Sequence, residues 1–373
     1  MSQLDDQRNR SARLPDPPPR LLARLALLLR RMFLSLADTV VPPQLALFDH
    51  ISGAGFTQVI HAAARLRIPD LLAERPMTAA ELAARAGVDA DALHRTLRGL
   101  AASGVFSLDA AGRFRNNRLS ASLCSGRPGS LRDYAVYFGS ASNVLAWADF
   151  DRTLETGGEA FARVHGMSVW DWFDAHPDER ETFAGAMGSL TELYAAGVAA
   201  FYPFAEVKRV CDVGGGRGTL LAEVLLRHPH LAGVLLDSEG VIATARSFLA
   251  EKGVADRVEL VAGSFFAAVP PGCDAYLLKN VLHDWDDERC RTILGACRRA
   301  MRPGNRLLVV ETVVEATTTR DLGPLSDLQM MVVCSGRERG REELAHLYAE
   351  TGFRLSRVIS PPGPMSVVEG IAV

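Results

Sequence analysis

Lysine is nearly missing from this 373-residue chain: Lys208, Lys252 and Lys279 are its lysines, and arginine supplies the rest of its 41 basic residues. Alongside the many alanines, that usage reads as GC-rich coding bias rather than chemistry. There is no basic excess either. The 44 acidic residues leave a formal charge of −3, where a nucleic-acid binder usually carries a surplus of positive charge. No CxxC or CxxH spacing occurs among Cys124, Cys211, Cys273, Cys290, Cys297 and Cys334, which argues against a zinc site. Cys211, Cys297 and Cys334 sit in apolar surroundings and read as small core residues in a reducing compartment. A long unbroken apolar run is also lacking. The most apolar N-terminal stretch, Leu21 to Val41, is interrupted by Arg24, Arg30, Arg31 and Asp38. It is too broken for a membrane span and has no clean signal-peptide core. The expectation is a soluble, cytoplasmic protein with no membrane partner. What remains, 48% hydrophobic and 23% charged residues, is ordinary for a globular protein of two or three domains.

Residues 1–20 are polar, end in Asp16-Pro17-Pro18-Pro19 and read as a flexible arm. From Leu21 to about Ile60 a helical pattern is apolar on most faces, so it needs a cover, for which a second subunit is preferred. Helical signals follow over Thr57–Leu72, after the capping box Thr78-Ala79-Ala80-Glu81, and from Asp89 or Asp91 to about Ser103. Short strands at Gly104–Leu108 and Arg113–Arg115 complete a winged helix-turn-helix, placing residues 21–125 in a helical dimerisation and winged-helix domain. Its third helix shows His94, Arg95 and Arg98, the place where such units read DNA. Residues 126–204 hold most of the aromatics and form a helical linker and substrate-pocket segment, with Met187 near a possible apolar wall. In 205–373, candidate strands at Val207–Val213, Gly233–Asp237, Val258–Ala262, Ala275–Lys279, Arg306–Thr312 and Phe353–Ile359 alternate with helices. That is a doubly wound α/β domain around a parallel sheet.

The first of these strands runs into Asp212-Val213-Gly214-Gly215-Gly216-Arg217-Gly218. A glycine-rich strand-to-helix turn brings backbone close to a ligand and aims amide dipoles at it. The dinucleotide spacing GxGxxG fails from Gly214 and again from Gly216, and no GxxxxGK[ST] phosphate loop is present. Asp212 ahead of Gly214, Gly216 and Gly218 would repel a pyrophosphate but suits a ligand with an ammonium group. Asp237, ending the second strand, is placed to accept from two ribose hydroxyls. S-adenosyl-L-methionine fits both features. His283 lies just past the fourth strand, where open α/β sheets place ligands, and histidine is suited to take a proton near neutral pH.

The run Leu278-Lys279-Asn280-Val281-Leu282-His283-Asp284-Trp285-Asp286-Asp287-Glu288-Arg289-Cys290 resembles the LKxxLHDWxDexC signature of S-adenosylmethionine-dependent O-methyltransferases. These are of the plant caffeate and flavonoid type, with bacterial relatives in aromatic polyketide tailoring. Ala160-Phe161, His165-Gly166 and Met187 resemble the bacterial branch, and the likeness covers nearly the whole chain. The resemblance implies a Rossmann-like catalytic domain at 205–373 and a homodimer whose N-terminal helices lend part of the partner's pocket wall. It implies a small phenolic acceptor, S-adenosyl-L-homocysteine as product and no metal. By position it makes Glu311 and Glu338 the groups that flank and orient His283. It puts Lys279 near the adenine, Asp284 against substrate (helix capping being the alternative), and Met330 and Met331 on the aromatic acceptor. Two departures stand out. Gly263-Ser264-Phe265-Phe266 has serine where the family has an adenine-binding aspartate, so adenine contacts at Ser264 and Phe265 are expected to be weaker or rearranged. Asp237-Ser238-Glu239 replaces Asp-Leu-Pro. Rival readings are a relative that hydroxylates or decarboxylates, N- or C-methyl transfer, and, from another class, a DNA-binding winged-helix dimer.

Overall fold

The computed structural model describes residues 13–314 and 323–373. The chain forms two compact units, one of residues 1–31, 149–169 and 191–373, the other of 32–148 and 170–190.

The larger unit is built on a seven-stranded sheet. Its strands are β4 (Arg209–Val213), β5 (Ala232–Asp237), β6 (Val258–Ala262), β7 (Ala275–Lys279), β8 (Arg306–Thr312), β9 (Phe353–Ile359) and β10 (Met365–Ala372), in the order β6-β5-β4-β7-β8-β10-β9. The first five are parallel. Such strands need cover on both faces, and two apolar clusters supply it, one around Leu221, Leu225, Leu235 and Leu277, the other around Cys211, Tyr276, Ile293 and Leu307. The six expected strands are present. The sheet nevertheless departs from the all-parallel expectation, because β10 inserts antiparallel between β8 and β9. Glu369 masks that strand in the sequence by interrupting its apolar run. Its buried carboxylate is satisfied by the Tyr202 hydroxyl and by Arg357 (2.9 Å). Chain order runs outward from β4 to β6 and then returns to β7, which makes the carboxyl ends of β4 and β7 the switch point where such sheets open a crevice.

Residues 1–12 of the expected flexible arm lie outside the described residues. The next few are held down: Leu14 is buried, its N–H donates to Glu223 (3.0 Å), and Arg227 binds both the Leu14 carbonyl (2.9 Å) and Asp16 (2.6 Å).

In the smaller unit, helices Pro43–Arg65, Ile68–Glu74, Ala79–Ala86 and Ala90–Ala102 pack with a three-stranded antiparallel sheet. The Thr78–Glu81 capping box opens one helix and the Asp89 side chain caps the next. The hairpin consists of β2 (Phe106–Leu108) and β3 (Arg113–Asn116), and a two-residue strand β1 (Met77–Thr78), absent from the sequence reading, pairs with β3. His94, Arg95 and Arg98 are exposed. Helix Arg20–Thr39 buries no residue, and Leu21, Leu25, Met32, Phe33, Phe48 and Ile51 are all exposed. Among the described residues no helix is long and apolar enough to cross a membrane.

Candidate active site

The glycine-rich turn leaves β4 at the switch point. Gly214, Gly216 and Gly218 all have positive φ (68°, 60° and 80°), a region that side chains with a Cβ rarely occupy. Gly218 caps helix Thr219–Arg227, and nothing lies within 4 Å of where a Cβ would stand on Gly216, so the turn is open on that side. Asp237 at the end of β5 steadies it, accepting the N–H of Gly216 (2.8 Å) and of Ser238 (2.7 Å).

Asp212 sits beneath the turn, against Gly215, and is 1% exposed. Neither of its carboxylate oxygens makes a hydrogen bond of proper geometry among the described residues. Burial raises its pKa to about 7, with the Asp237 charge adding and Lys279 opposing. A buried carboxylate left without donors is costly unless a ligand supplies them. A ligand ammonium would do so, so the residues fit a cationic small molecule.

The other residues expected at this end are close by. Phe265 and Val281 wall the turn, so close that a Cβ on Gly214 would meet them at 3.2 and 3.1 Å. Phe265 continues into an aromatic group with Phe266 and Trp285. Ser264 is exposed, and its hydroxyl accepts the Phe266 N–H (3.3 Å), capping its own turn. Lys279 donates to Thr191 (3.0 Å), and its charge acts on Asp212, Asp237 and Asp284 alike.

Past β7 the chain makes a short 3₁₀ turn over Leu282–Asp284. His283 is buried there, and its surroundings are acidic. Its N–H donates to Glu311 Oε1 (3.1 Å), its Nδ1 pairs with Glu338 Oε1 (3.0 Å), and its Nε2 stands 3.5 Å from Asp284 Oδ1. With a carboxylate at Nδ1, the proton of the neutral ring is assigned to Nδ1 and the lone pair to Nε2. Burial alone would lower the His283 pKa, but Asp284, Glu338 and Glu311 outweigh it and carry it to about 9. Burial raises Asp284 to about 7 against the opposing pull of His283, and it raises Glu311 as well. Asp284 does not cap the following helix; Asp286 does, accepting the Arg289 N–H (2.8 Å).

Glu338 is 4% exposed, although it lies in the charged run Gly336-Arg337-Glu338-Arg339 and could have been a solvated charge. Helix Gly323–Val333 holds it: the Ser326 hydroxyl donates to Oε1 (2.7 Å) and Asp327 accepts its N–H (2.8 Å). Met330 and Met331 follow one turn later on the same helix, half-buried. Met187 belongs to the other unit, on helix Pro177–Phe201, four residues before Thr191.

Ser326, Asp327, Gly336 and Arg339 were not legible as site residues. For Gly336 the reason is a backbone approach that no spacing encodes: an added Cβ would lie 1.9 Å from the His283 carbonyl oxygen. Gly336→Ala is therefore expected to push the His283 turn out of place, costing about 2 kcal/mol or more and over 100-fold in turnover. Thermal melting and an activity assay check it, and near-normal values for both would be inconsistent with this packing.

Residues 147–354 match the O-methyltransferase domain family, and residues 48–126 the O-methyltransferase dimerisation domain family. The phenazine O-methyltransferase PhzM of Lysobacter antibioticus is 39% identical over 329 residues, 88% of this chain and 96% of that protein. The crystal structure of NcsB1, an O-methyltransferase of neocarzinostatin biosynthesis in complex with S-adenosylmethionine and 2-hydroxy-5-methyl naphthoic acid, superposes with a TM-score of 0.73. It is 33% identical and covers 85% of this chain and 96% of that one. Aclacinomycin 10-hydroxylase RdmB of Streptomyces purpurascens is 35% identical over 324 residues, 84% of this chain and 87% of that protein.

Proposed function

Because this chain belongs to the O-methyltransferase family, we propose that it transfers the methyl group of S-adenosyl-L-methionine to a phenolic hydroxyl of an aromatic specialised metabolite. The single observation that carries this reading is the buried His283–Glu338 pair (3.0 Å) at the same end of the sheet as the buried Asp212 carboxylate.

Asp212 and the Gly214–Gly218 turn hold the ammonium end of the donor, Asp237 takes the ribose hydroxyls, and Ser264, Phe265 and Lys279 border the adenine. When bound, the donor supplies a sulfonium-activated methyl group. A phenol, with a pKa of about 10, is a poor nucleophile at neutral pH until it loses its proton. His283 Nε2 accepts that proton, so the O–H bond breaks and the oxygen's electron pair is freed for carbon. Glu338 at Nδ1 fixes the tautomer and steadies the imidazolium that forms, and Glu311 anchors the backbone of the base. Asp284 faces Nε2 and orients the acceptor hydroxyl. Met330 and Met331 offer soft, adaptable contacts to a flat acceptor. The rest of the catalysis is positioning. S-adenosyl-L-homocysteine is the second product, and no metal takes part.

We further propose a cytoplasmic homodimer. The exposed leucines of Arg20–Thr39 and the match of 48–126 to a dimerisation domain support it, with these helices completing the partner's pocket wall. The helices and hairpin of 21–125 support a winged-helix reading used as scaffold, and the net charge of −3 disfavours DNA as its ligand. A second reading, non-methylating tailoring such as hydroxylation, is kept because of the 35% identity to RdmB.

Calorimetric titration with S-adenosylmethionine, S-adenosylhomocysteine and NAD tests the cofactor assignment. Micromolar binding of the first two and none of NAD is expected. Failure of both to bind would mean that Ser264 and Ser238-Glu239 have emptied the site.

A further inference from the structure

Arg339 is 1% exposed, a rare place for a guanidinium. It donates to the carbonyls of Leu282 (2.9 Å) and Trp285 (2.8 Å), the residues that bracket His283 and Asp284. Its Nε and Nη2 both reach Asp287 Oδ1 (3.0 and 2.8 Å) at the start of the next helix. The adjacent residue in the chain, Glu338, grips the imidazole of the same turn. One dipeptide therefore holds the base twice, Glu338 by the ring and Arg339 by the backbone. The turn needs such ties. It is entered through Asn280 at φ 52°, a left-handed conformation that costs a residue with a Cβ.

We infer that Arg339 is a positioning residue for the base, its planar fork fixing the Leu282–Trp285 turn so that Nδ1 stays on Glu338 and Nε2 stays presented. This rests on His283 as the base of the proposed reaction. The groups facing His283 are Asp284 on its own turn, Glu311 on β8 and Glu338 beside Arg339, with Lys279 acting on Asp284 from the end of β7. The inference separates geometry from charge: lysine keeps the positive charge but cannot span two carbonyls and a carboxylate together.

In Arg339→Lys the turn is expected to loosen from Glu338. NMR of the full-length, ligand-free protein with labelled histidine should then show the His283 titration midpoint lowered by at least half a pH unit, its signal being assigned by its loss in His283→Ala. Turnover should fall tenfold or more, with KM for the methyl donor within twofold. Asp287→Ala, which removes the acceptor that anchors the fork at a half-buried position, should move both readouts the same way by less, and it decides the matter if Arg339→Lys does not fold. An unmoved midpoint in a folded variant would overturn the inference and leave Arg339 a purely structural residue. The NMR readout stands even if no phenol is methylated, so it fails separately from the proposed reaction.

Discussion

Replacing His283 with alanine should lower turnover by about 10²–10⁴-fold, the usual span for removing a general base, while affinity for S-adenosylmethionine stays within a few-fold. The asymmetry follows from where the residue stands. Its hydrogen bonds and ion contacts run to Glu338, Glu311 and Asp284, and among the described residues none of these runs to the glycine turn or to Asp212. The wild-type pH dependence should carry the same signature. Burial pushes the imidazole down, but Asp284 and Glu338 outweigh it and raise its pKa to about 9. In the unliganded site the ring is therefore mostly protonated at pH 7, and the base form grows as the pH rises toward 9. Turnover should climb across that window, and His283→Ala should lose the climb. The stability sign is opposite. A histidine with a raised folded pKa contributes stability in full below its unfolded value near 6.5, and that contribution is lost as the pH rises through about 9. A variant that turned over normally, or kept the alkaline rise, would remove His283 from the role of base.

Asp212→Asn should separate binding from stability in one substitution. The wild-type carboxylate is buried with no hydrogen bond of proper geometry among the described residues, and burial raises its pKa to about 7. An unpaired amide costs less there than an unpaired charge, so the ligand-free variant should melt at least ~2 °C higher, about the shift that 1 kcal/mol produces in a large domain. Donor affinity should fall by 100-fold or more, because losing one partner of a buried ion pair costs about 3–5 kcal/mol. The pH dependence has a defined direction. A carboxylate raised in the folded state favours folding below its unfolded pKa near 4, and the empty wild-type protein loses that contribution as the pH rises through about 7. Donor binding strengthens over the same interval, because the cation needs the ionised form. Paired calorimetry and melting at pH 5.5 and 8 check both halves. Unchanged affinity in the variant would mean that Asp212 does not hold the ammonium.

Much of this was legible in the sequence because it is local. Alternation of apolar strands and helices gave away the sheet, and glycine spacing together with Asp212 and Asp237 pointed to a ribose-bearing cation rather than a pyrophosphate. Strand β10 was hidden because Glu369, paired with Tyr202 and Arg357, breaks the apolar run from inside the sheet. The ring of carboxylates around His283 gathers residues from 284 to 338, a closeness created by the β7–β8 pairing and the return of the chain after helix Gly323–Val333. Arg339 looked like one charge among several because one sequence does not distinguish a buried guanidinium from a solvated one. Gly336 is fixed by its close approach to the backbone of His283 and Asp284, which leaves no trace in composition or periodicity.

Methyl transfer to a phenolic oxygen can be measured by incubating the purified protein with methyl-labelled S-adenosylmethionine and a panel of mono- and polycyclic phenols. Label is expected in an aryl methyl ether, formed one for one with S-adenosylhomocysteine and lost in His283→Ala. Donor that binds but keeps its label while an acceptor is hydroxylated or decarboxylated, or label recovered on nitrogen or carbon, would contradict it.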